Sequence, residues 1–183
     1  MQHFCVNCGA PLVTKLIEGR EHEACLNDSF VLWRDPKVAA AVIVESEGGI
    51  VLGRRAIEPG HGLWCLPGGF VNHDEDPATA AIRECLEEIG ARVQLTALLG
   101  TYHVPKTTAA SIIGLAYRGR LADGEAISAG PEMLEVGVFT LDALPPIAFP
   151  SHREVLARFA AERGHSASQP SPEPAPWPPL RTP

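Results

Sequence analysis

Apolar positions along the chain change their period several times. Up to about residue 35 they are scattered among cysteines, glycines and charges, without a sustained run. "KVAAAVIVES" at 37–46 is an unbroken apolar run of strand length, the pattern of a strand buried on both faces. It is followed by Gly48-Gly49 and "IVLGRRA", so two β-branched runs flank a glycine turn and predict a hairpin. "VQLTALLGTYHV", "SIIGLAYRGRL" and "LEVGVFTL" predict three further strands. Two segments switch to helical spacing. Asp76-Pro77 supplies an N-cap acceptor and a first-turn proline, and Gly90 supplies a stop. Between them Ala78, Ile82, Cys85, Leu86 and Ile89 recur at the 3.6 period and predict the packed face. Glu84, Glu87 and Glu88 centre on the opposite face. In "SHREVLARFAAERG", Ser151 reads as the N-cap, Gly164 as the stop, and Val155, Leu156 and Phe159 as the apolar side.

These elements predict a mixed α/β domain over residues 36–163. Residues 1–35 stand apart as a small cysteine-bearing module. Residues 164–183 carry seven of the chain's 17 prolines. Proline removes a backbone donor and blocks helix, so this stretch reads as an extended, weakly ordered tail.

Composition narrows the function. A length of 183 residues and a hydrophobic content of 45% suit one domain with a core plus a small module. The net charge of -7, with no basic block, argues against sequence-independent nucleic-acid binding. A phosphorylated small molecule remains compatible if a cation bridges it to the acidic chain. The longest apolar run, Val38 to Val44, is far short of a membrane span, and "MQHFCVNCGAP" has no apolar signal core. Five cysteines, an odd count that includes a Cys-x-x-Cys, point to reduced thiols and a cytoplasmic setting.

The three glutamates of the first helix repel one another at spacings of three and four. Arg83 is the one nearby counter-charge, and it is placed to pair with Glu87 at i,i+4. An ordinary amphipathic helix with a solvated acidic face is the plain reading. Two features favour a cation site instead: the acids converge without alternating lysines, and they follow "LPGGF", whose glycines let a backbone carbonyl approach a ligand. Carboxylates, a carbonyl and waters form a hard oxygen donor set suited to Mg²⁺ or Mn²⁺.

This stretch resembles the Nudix hydrolases, whose box is Gly-x5-Glu-x7-Arg-Glu-U-x-Glu-Glu-x-Gly-U with U apolar. Gly69, Glu75, Arg83, Glu84, Glu87, Glu88 and Gly90 fill every fixed place, and Cys85 and Ala91 stand at the U places. The resemblance implies an α/β/α sandwich around a mixed sheet, with the box forming loop, helix and loop. It implies metal-dependent attack of water on a nucleoside diphosphate linked to a group X, and often a homodimer. Carried over residue by residue, it makes Glu84, Glu87 and Glu88 metal ligands, with the Gly68 carbonyl as a further one. Arg83 becomes their orienting partner and Glu75 a structural member of the box loop. It also implies a glutamate from beyond the box; in "EMLEVGVF" Glu132 is the first choice and Glu135 the second.

"FCVNCG" has the pattern of a zinc knuckle: two thiolates and a glycine for the tight turn. Its counterpart "CLND" offers Cys25 but no fourth cysteine. Asp28, His22 or, more weakly, His3 would complete a structural zinc site with Cys5, Cys8 and Cys25. The competing reading is a relic ribbon held by packing. Cys65 and Cys85 fall on strand and helix positions expected in the core.

The ribbon, "DPKVAAAVIV" and "RRAIEPGHGLWCLPGGF" together resemble the zinc-ribbon Nudix hydrolases that act on ADP-ribose, FAD or NADH, over residues 3–160. Pro105, about fifteen residues beyond the box, hints at ADP-ribose. A Ser-Gln-Pro stretch in the tail lies too late to match the segment that marks NADH pyrophosphatases. Arg54 and Arg55 end a strand as candidate phosphate clamps, and Trp33 and Trp64 are candidate stacking or core residues. A nucleotide sensor that binds without hydrolysis would be expected to carry a degraded box, and a ribbon interaction module would not need one. The intact box therefore favours an enzyme.

Overall fold

The structure is a computed structural model that describes residues 2–105 and 111–164. Their described residues fall into two compact units that divide between Asp35 and Pro36. The expected tail lies, from residue 165 onward, outside the described residues.

The first unit is a small antiparallel sheet of β1 (Val13–Ile17), β2 (Arg20–Ala24) and β3 (Val31–Leu32). Ile17 pairs with Arg20, which leaves Glu18-Gly19 as a two-residue loop with φ of 51 and 77. Both positive values match the tight turn whose twist suits a hairpin. Cys5, Leu12 and Cys25 form its buried centre, packed by Ala10, Phe30 and Leu32.

The second unit runs β4 (Lys37–Ser46), β5 (Gly49–Arg55), β6 (Trp64–Cys65), β7 (Gly68–Phe70), α1 (Pro77–Ile89), β8 (Val93–Val104), β9 (Ile112–Leu121), β10 (Met133–Phe139) and α2 (Pro150–Glu162). Its sheet is ordered β10-β5-β4-β9-β8, with β4 and β9 parallel and the other neighbours antiparallel. Alternation along the central strands sends side chains to two cores. Val42, Val44 and Val51 pack with Ala81, Cys85 and Ile89 of α1. Ile43, Ile50 and Leu52 pack with Val155, Leu156 and Phe159 of α2. The result is the expected sandwich of a mixed sheet between helices.

β4 changes partner along its length. Val44–Ser46 pairs with β5, whereas Ala39–Ala41 pairs with β7. That exchange seats Gly68-Gly69 inside the sheet. Gly68 has φ 151, and a Cβ there would fall 2.2 Å from the Ala40 carbonyl oxygen, so the pairing admits no side chain.

Two sequence expectations are corrected. α2 begins at Pro150 with Phe149 as N-cap and no side-chain cap, not at Ser151. Proline's fixed φ suits the first helical position and starts the helix one residue early. On α1, Ile82 and Leu86 are exposed, and the face that packs is Ala81, Cys85, Glu88 and Ile89. Glu88 therefore turns inward rather than sharing an outer acidic face. No helix among the described residues is long and apolar enough to cross a membrane.

Candidate active site

The box helix is framed at both ends. The Asp76 carboxylate accepts from the N–H groups of Ala78 and Thr79 at 2.9 and 3.0 Å, and Gly90 ends the helix at φ 64. A loop then covers its C-terminal turn: Ser128 N–H donates to the Ile89 carbonyl and Gly130 N–H to that of Glu88. A Cβ on Gly130 would lie 1.8 Å from the Glu87 carbonyl oxygen, so only glycine permits this approach. The loop leads directly to Glu132, whose carbonyl accepts from Ala56 N–H.

Arg83 ties the acids into one array. Its Nη2 donates to Glu75 at 2.6 Å and to the Phe70 carbonyl at 3.1 Å. Its Nη1 donates to Glu84 at 2.8 Å and Glu87 at 2.9 Å. Glu75 also accepts from Asn72 N–H within the box loop. Bonding to Arg83, then to Asn72, holds the Glu75 carboxyl down at about 2. Glu75 is thus a partner for the guanidinium, as expected of a structural member.

Glu88 is 4% exposed and accepts from Gly68 N–H at 2.8 Å. Burial pushes its carboxyl up to about 8; the Gly68 bond and the Arg55 charge pull it down, while Glu84 and Glu132 add to the rise. Burial likewise raises Glu84, with Glu87 and Glu132 adding to it against Arg83. The charge of Glu132 therefore bears on both Glu84 and Glu88. Glu135, the second choice, is instead paired with Arg54 at 3.3 Å. Glu87 lies at the exposed rim.

The donor set fits a hard divalent cation. Burial disfavours the negative charge of Glu84 and Glu88, the exposed Glu132 adds its own charge to both, and a cation would remove that penalty. Gly69 provides the room: a Cβ there would lie 2.5 Å from the Glu84 carboxylate. Cys65 and Cys85 are buried beside this group, and burial pushes the Cys65 thiol up to about 12 and Cys85 higher still. Both are core residues, as expected.

The two strand-end arginines diverge. Arg54 donates to the Gly62 carbonyl and to Glu135. Arg55 is 8% exposed, donates Nε to the Pro59 carbonyl at 2.7 Å and lies over the Phe149 ring. His152 was not singled out in the sequence. Its Nδ1 accepts from Leu66 N–H at 3.1 Å, directly upstream of the Gly68-Gly69 turn. A lone histidine at a helix start carries no local signal of that bond. Trp64 packs edge-on to Phe139 at 4.6 Å, within the α2-side core. Trp33 is 51% exposed and meets His22 in the first unit.

In that unit Cys5, Cys8, Cys25 and Asp28 present one ligand atom each, all within 4.8 Å of one another. Cys5 Sγ lies 3.2 Å from Asp28 Oδ2, and the Cys8 and Cys25 sulfurs are 3.5 Å apart. The other two candidates are engaged elsewhere, His22 with Trp33 and His3 with Glu23.

Comparison with known proteins agrees with this arrangement. Residues 35–159 match the family model described as NUDIX domain. The chain is 33% identical over 131 residues to an ADP-ribose pyrophosphatase of Methanocaldococcus jannaschii, covering 71% of this chain and 76% of that one. It is 27% identical over 154 residues to an NAD-capped RNA hydrolase NudC of Pseudomonas aeruginosa, covering 83% of this chain and 52% of the relative. Among solved structures it is similar to a NUDIX hydrolase from Nitrosomonas europaea, with a TM-score of 0.77 and 31% identity over 91% of this chain and 96% of that one.

Proposed function

The chain belongs to the NUDIX domain family and is a Nudix hydrolase; from that premise we propose that it cleaves an adenosine diphosphate joined to a bulky group, ADP-ribose or FAD, into AMP and the other phosphorylated half. The observation that carries the reading is the array in which Arg83 bonds Glu75, Glu84 and Glu87 while Gly68 N–H bonds the buried Glu88 beside the glycine turn. Glu84, Glu87, Glu88 and Glu132 would hold Mg²⁺ or Mn²⁺, with the Gly68 carbonyl available as a further oxygen donor. The bound cation supplies Lewis acidity and charge neutralisation to the diphosphate. Arg83 fixes the rotamers of Glu84 and Glu87, and Gly68 N–H fixes that of Glu88. Such orienting partners keep the ligand carboxylates in one geometry. At a net charge of -7 the chain does not attract so anionic a substrate by itself, so binding depends on the cation.

Support for the substrate comes from the archaeal ADP-ribose pyrophosphatase relative and from the ribbon-plus-box arrangement. The test is a panel of ADP-ribose, FAD, NADH, nucleoside triphosphates, dinucleoside polyphosphates and NAD-capped RNA, with release of AMP followed. ADP-ribose or FAD is expected to lead with Mg²⁺ or Mn²⁺, and EDTA to abolish turnover. A kcat/KM for nucleoside triphosphates or capped RNA about tenfold above both would overturn the substrate assignment.

We further infer that Cys5, Cys8, Cys25 and Asp28 hold one structural zinc. Tetrahedral bonds of about 2.3 Å to sulfur place ligand sulfurs just under 4 Å apart, close to the Cys8–Cys25 spacing. The N–H of Phe30 already bonds Asp28 Oδ1 at 2.8 Å, which orients the carboxylate toward the sulfurs. The backbone bond from Ala10, followed by the Cys25 contact, holds the Cys8 thiol below its usual value.

A further inference from the structure

The first unit carries an open groove of about 790 Å³, lined only by residues between Thr14 and Asp35. One side is the outer edge of β2, from Arg20 to Glu23. β1 pairs with β2 along its whole length, but β3 pairs only with Glu23 and Ala24. Arg20, Glu21 and His22 therefore have no strand beside them on the β3 side among the described residues. Trp33, Arg34 and Asp35, which follow β3, line the groove with them. A strand edge left open in this way offers backbone donors and acceptors to another extended segment.

Two further features narrow what the groove would accept. Trp33 is half exposed and meets the His22 ring edge-on at 4.6 Å. Its indole N–H, a donor only, has no acceptor among the described residues. An exposed indole with a free donor is a surface on which proline rings stack while a backbone carbonyl accepts from Nε1, the physics by which proline-rich segments are held. The second feature is charge. Four carboxylates, Glu18, Glu21, Glu23 and Asp35, line the groove against two guanidiniums, Arg20 and Arg34. Glu23 is already paired with Arg34 and His3. Glu18, Glu21 and Asp35 have no ion-pair partner among the described residues. The groove therefore suits an extended, proline-rich segment that carries a cation.

A segment with both properties lies in the chain itself. "PAPWPPLR", residues 174–181, holds four prolines, Trp177 and Arg181, which is the only Lys or Arg beyond residue 164. Proline's fixed φ means that such a segment gives up little conformational freedom on docking. In polyproline II form, residues 165–177 would span about 40 Å. A body the size of the second unit has a radius of gyration of roughly 14 Å, so chain length allows the segment to meet the first unit. We propose that residues 174–181 dock in this groove of their own chain, with proline rings against Trp33 and His22 and Arg181 toward the carboxylates of Glu18, Glu21 and Asp35. No lining residue belongs to the box or to the cluster of Cys5, Cys8, Cys25 and Asp28, so docking leaves turnover and metal content unchanged.

The experiment is amide and indole N–H spectroscopy of the full chain by NMR, following the Trp33 indole and the amides of Arg20, Glu21 and His22. The parent is compared with two full-length variants: Arg181→Glu alone, and Arg181→Glu combined with Trp177→Ser, Pro178→Ser and Pro179→Ser. These changes fall outside both compact units, so neither fold is put at risk. Tethering supplies an effective concentration on the order of 1 mM. A free-peptide Kd of about 0.1 mM then corresponds to a groove about nine-tenths occupied. The combined variant should move all four signals to their unoccupied positions. Arg181→Glu alone should weaken docking about tenfold and place them roughly midway. A free peptide of residues 170–183, added to the combined variant, should restore the parent positions with a Kd of about 0.1 mM. Identical signals in the parent and the combined variant would overturn the proposal and leave the groove to a separate partner. Parent signals that shift with protein concentration would overturn docking within one chain and assign the groove to the tail of a second copy. A peptide that binds without moving the Trp33 indole would overturn the placement in this groove.

Discussion

Replacing Glu88 by glutamine should stabilise the metal-free protein and remove its response to metal. Burial sets the folded carboxyl at about 8, whereas the unfolded one titrates near its ordinary value of 4.5. Between those values the folded state retains a proton that the unfolded state releases. The stability associated with that proton is complete below the unfolded value and is lost as pH rises through about 8. Each pH unit in the window costs about 1.4 kcal/mol, so at pH 7 the wild type gives up on the order of 3 kcal/mol that Glu88→Gln retains. For a chain of this length that corresponds to roughly 6–12 °C in melting temperature. Glutamine has similar shape and can still accept from Gly68 N–H. The assay is thermal unfolding of both proteins in EDTA at pH 5, 6, 7 and 8. Taking the difference between them cancels the titrating groups that do not interact with Glu88. The gap should open with pH in favour of the variant; adding Mn²⁺ at pH 8 should reverse it, because only the wild type keeps the ligand set. A gap that stays constant from pH 5 to 8 would refute the assignment of Glu88 as a desolvated carboxylate.

Gly69→Ala and Gly68→Ala should separate chemistry from folding. The first places a methyl against the carboxylate end of Glu84, which must shift away from its Arg83 bond, so Mn²⁺ affinity and kcat should fall about tenfold or more while the melting temperature falls less than for the second. The second drives a methyl into the Ala40 carbonyl and should cost several kcal/mol, about the largest effects seen for point changes, read by denaturant unfolding. Purified protein should carry about one zinc per chain by elemental analysis. Asp28→Ala should lower that content and Asp28→Cys retain it, whereas a metal-free chain that takes up no added zinc would support the relic ribbon. A chain ending at Gly164 should keep the parent's kcat/KM, and loss of activity on that truncation would assign the tail a role.

Much of the fold was legible because its strands are extreme cases. β4 carries apolar residues on both faces, and the alternation of Val42 and Val44 against Ile43 serves two cores at once. The boundaries of α1 were legible because Asp76, Pro77 and Gly90 each act locally through capping or φ. The packed face of α1 was misread for a reason that hydropathy does not contain. The helix meets the sheet through Ala81 and Cys85, side chains small enough for close approach. That orientation rotates Glu88 inward and leaves the larger Ile82 and Leu86 outside. The start of α2 was displaced because a proline at the first helical position outweighed a serine able to cap. The three strands of the N-terminal unit escaped notice because a sheet folded around a cysteine cluster needs little apolar periodicity.

The site divides along the same line. Its acidic half is a local motif: spacing alone puts Glu84, Glu87 and Glu88 within one turn of each other, and Arg83 within reach of two of them. Glu132 enters only because Ser128 and Gly130 bond the last carbonyls of α1, a contact between segments far apart in sequence. The surroundings of the two strand-end arginines are wholly tertiary. Arg54 and Arg55 are neighbours with the same side chain, yet one ends in a surface ion pair and the other beside Glu88, according to which face of β5 each occupies and what covers it. His152 reaches Leu66 because Trp64 pairs with Pro146 and Ala148 in the segment before α2. The sequence motif therefore carries the acids that Arg83 ties together, while the surroundings of Arg55 and His152 come from the covering of β5 and the start of α2, contacts between segments far apart in the chain.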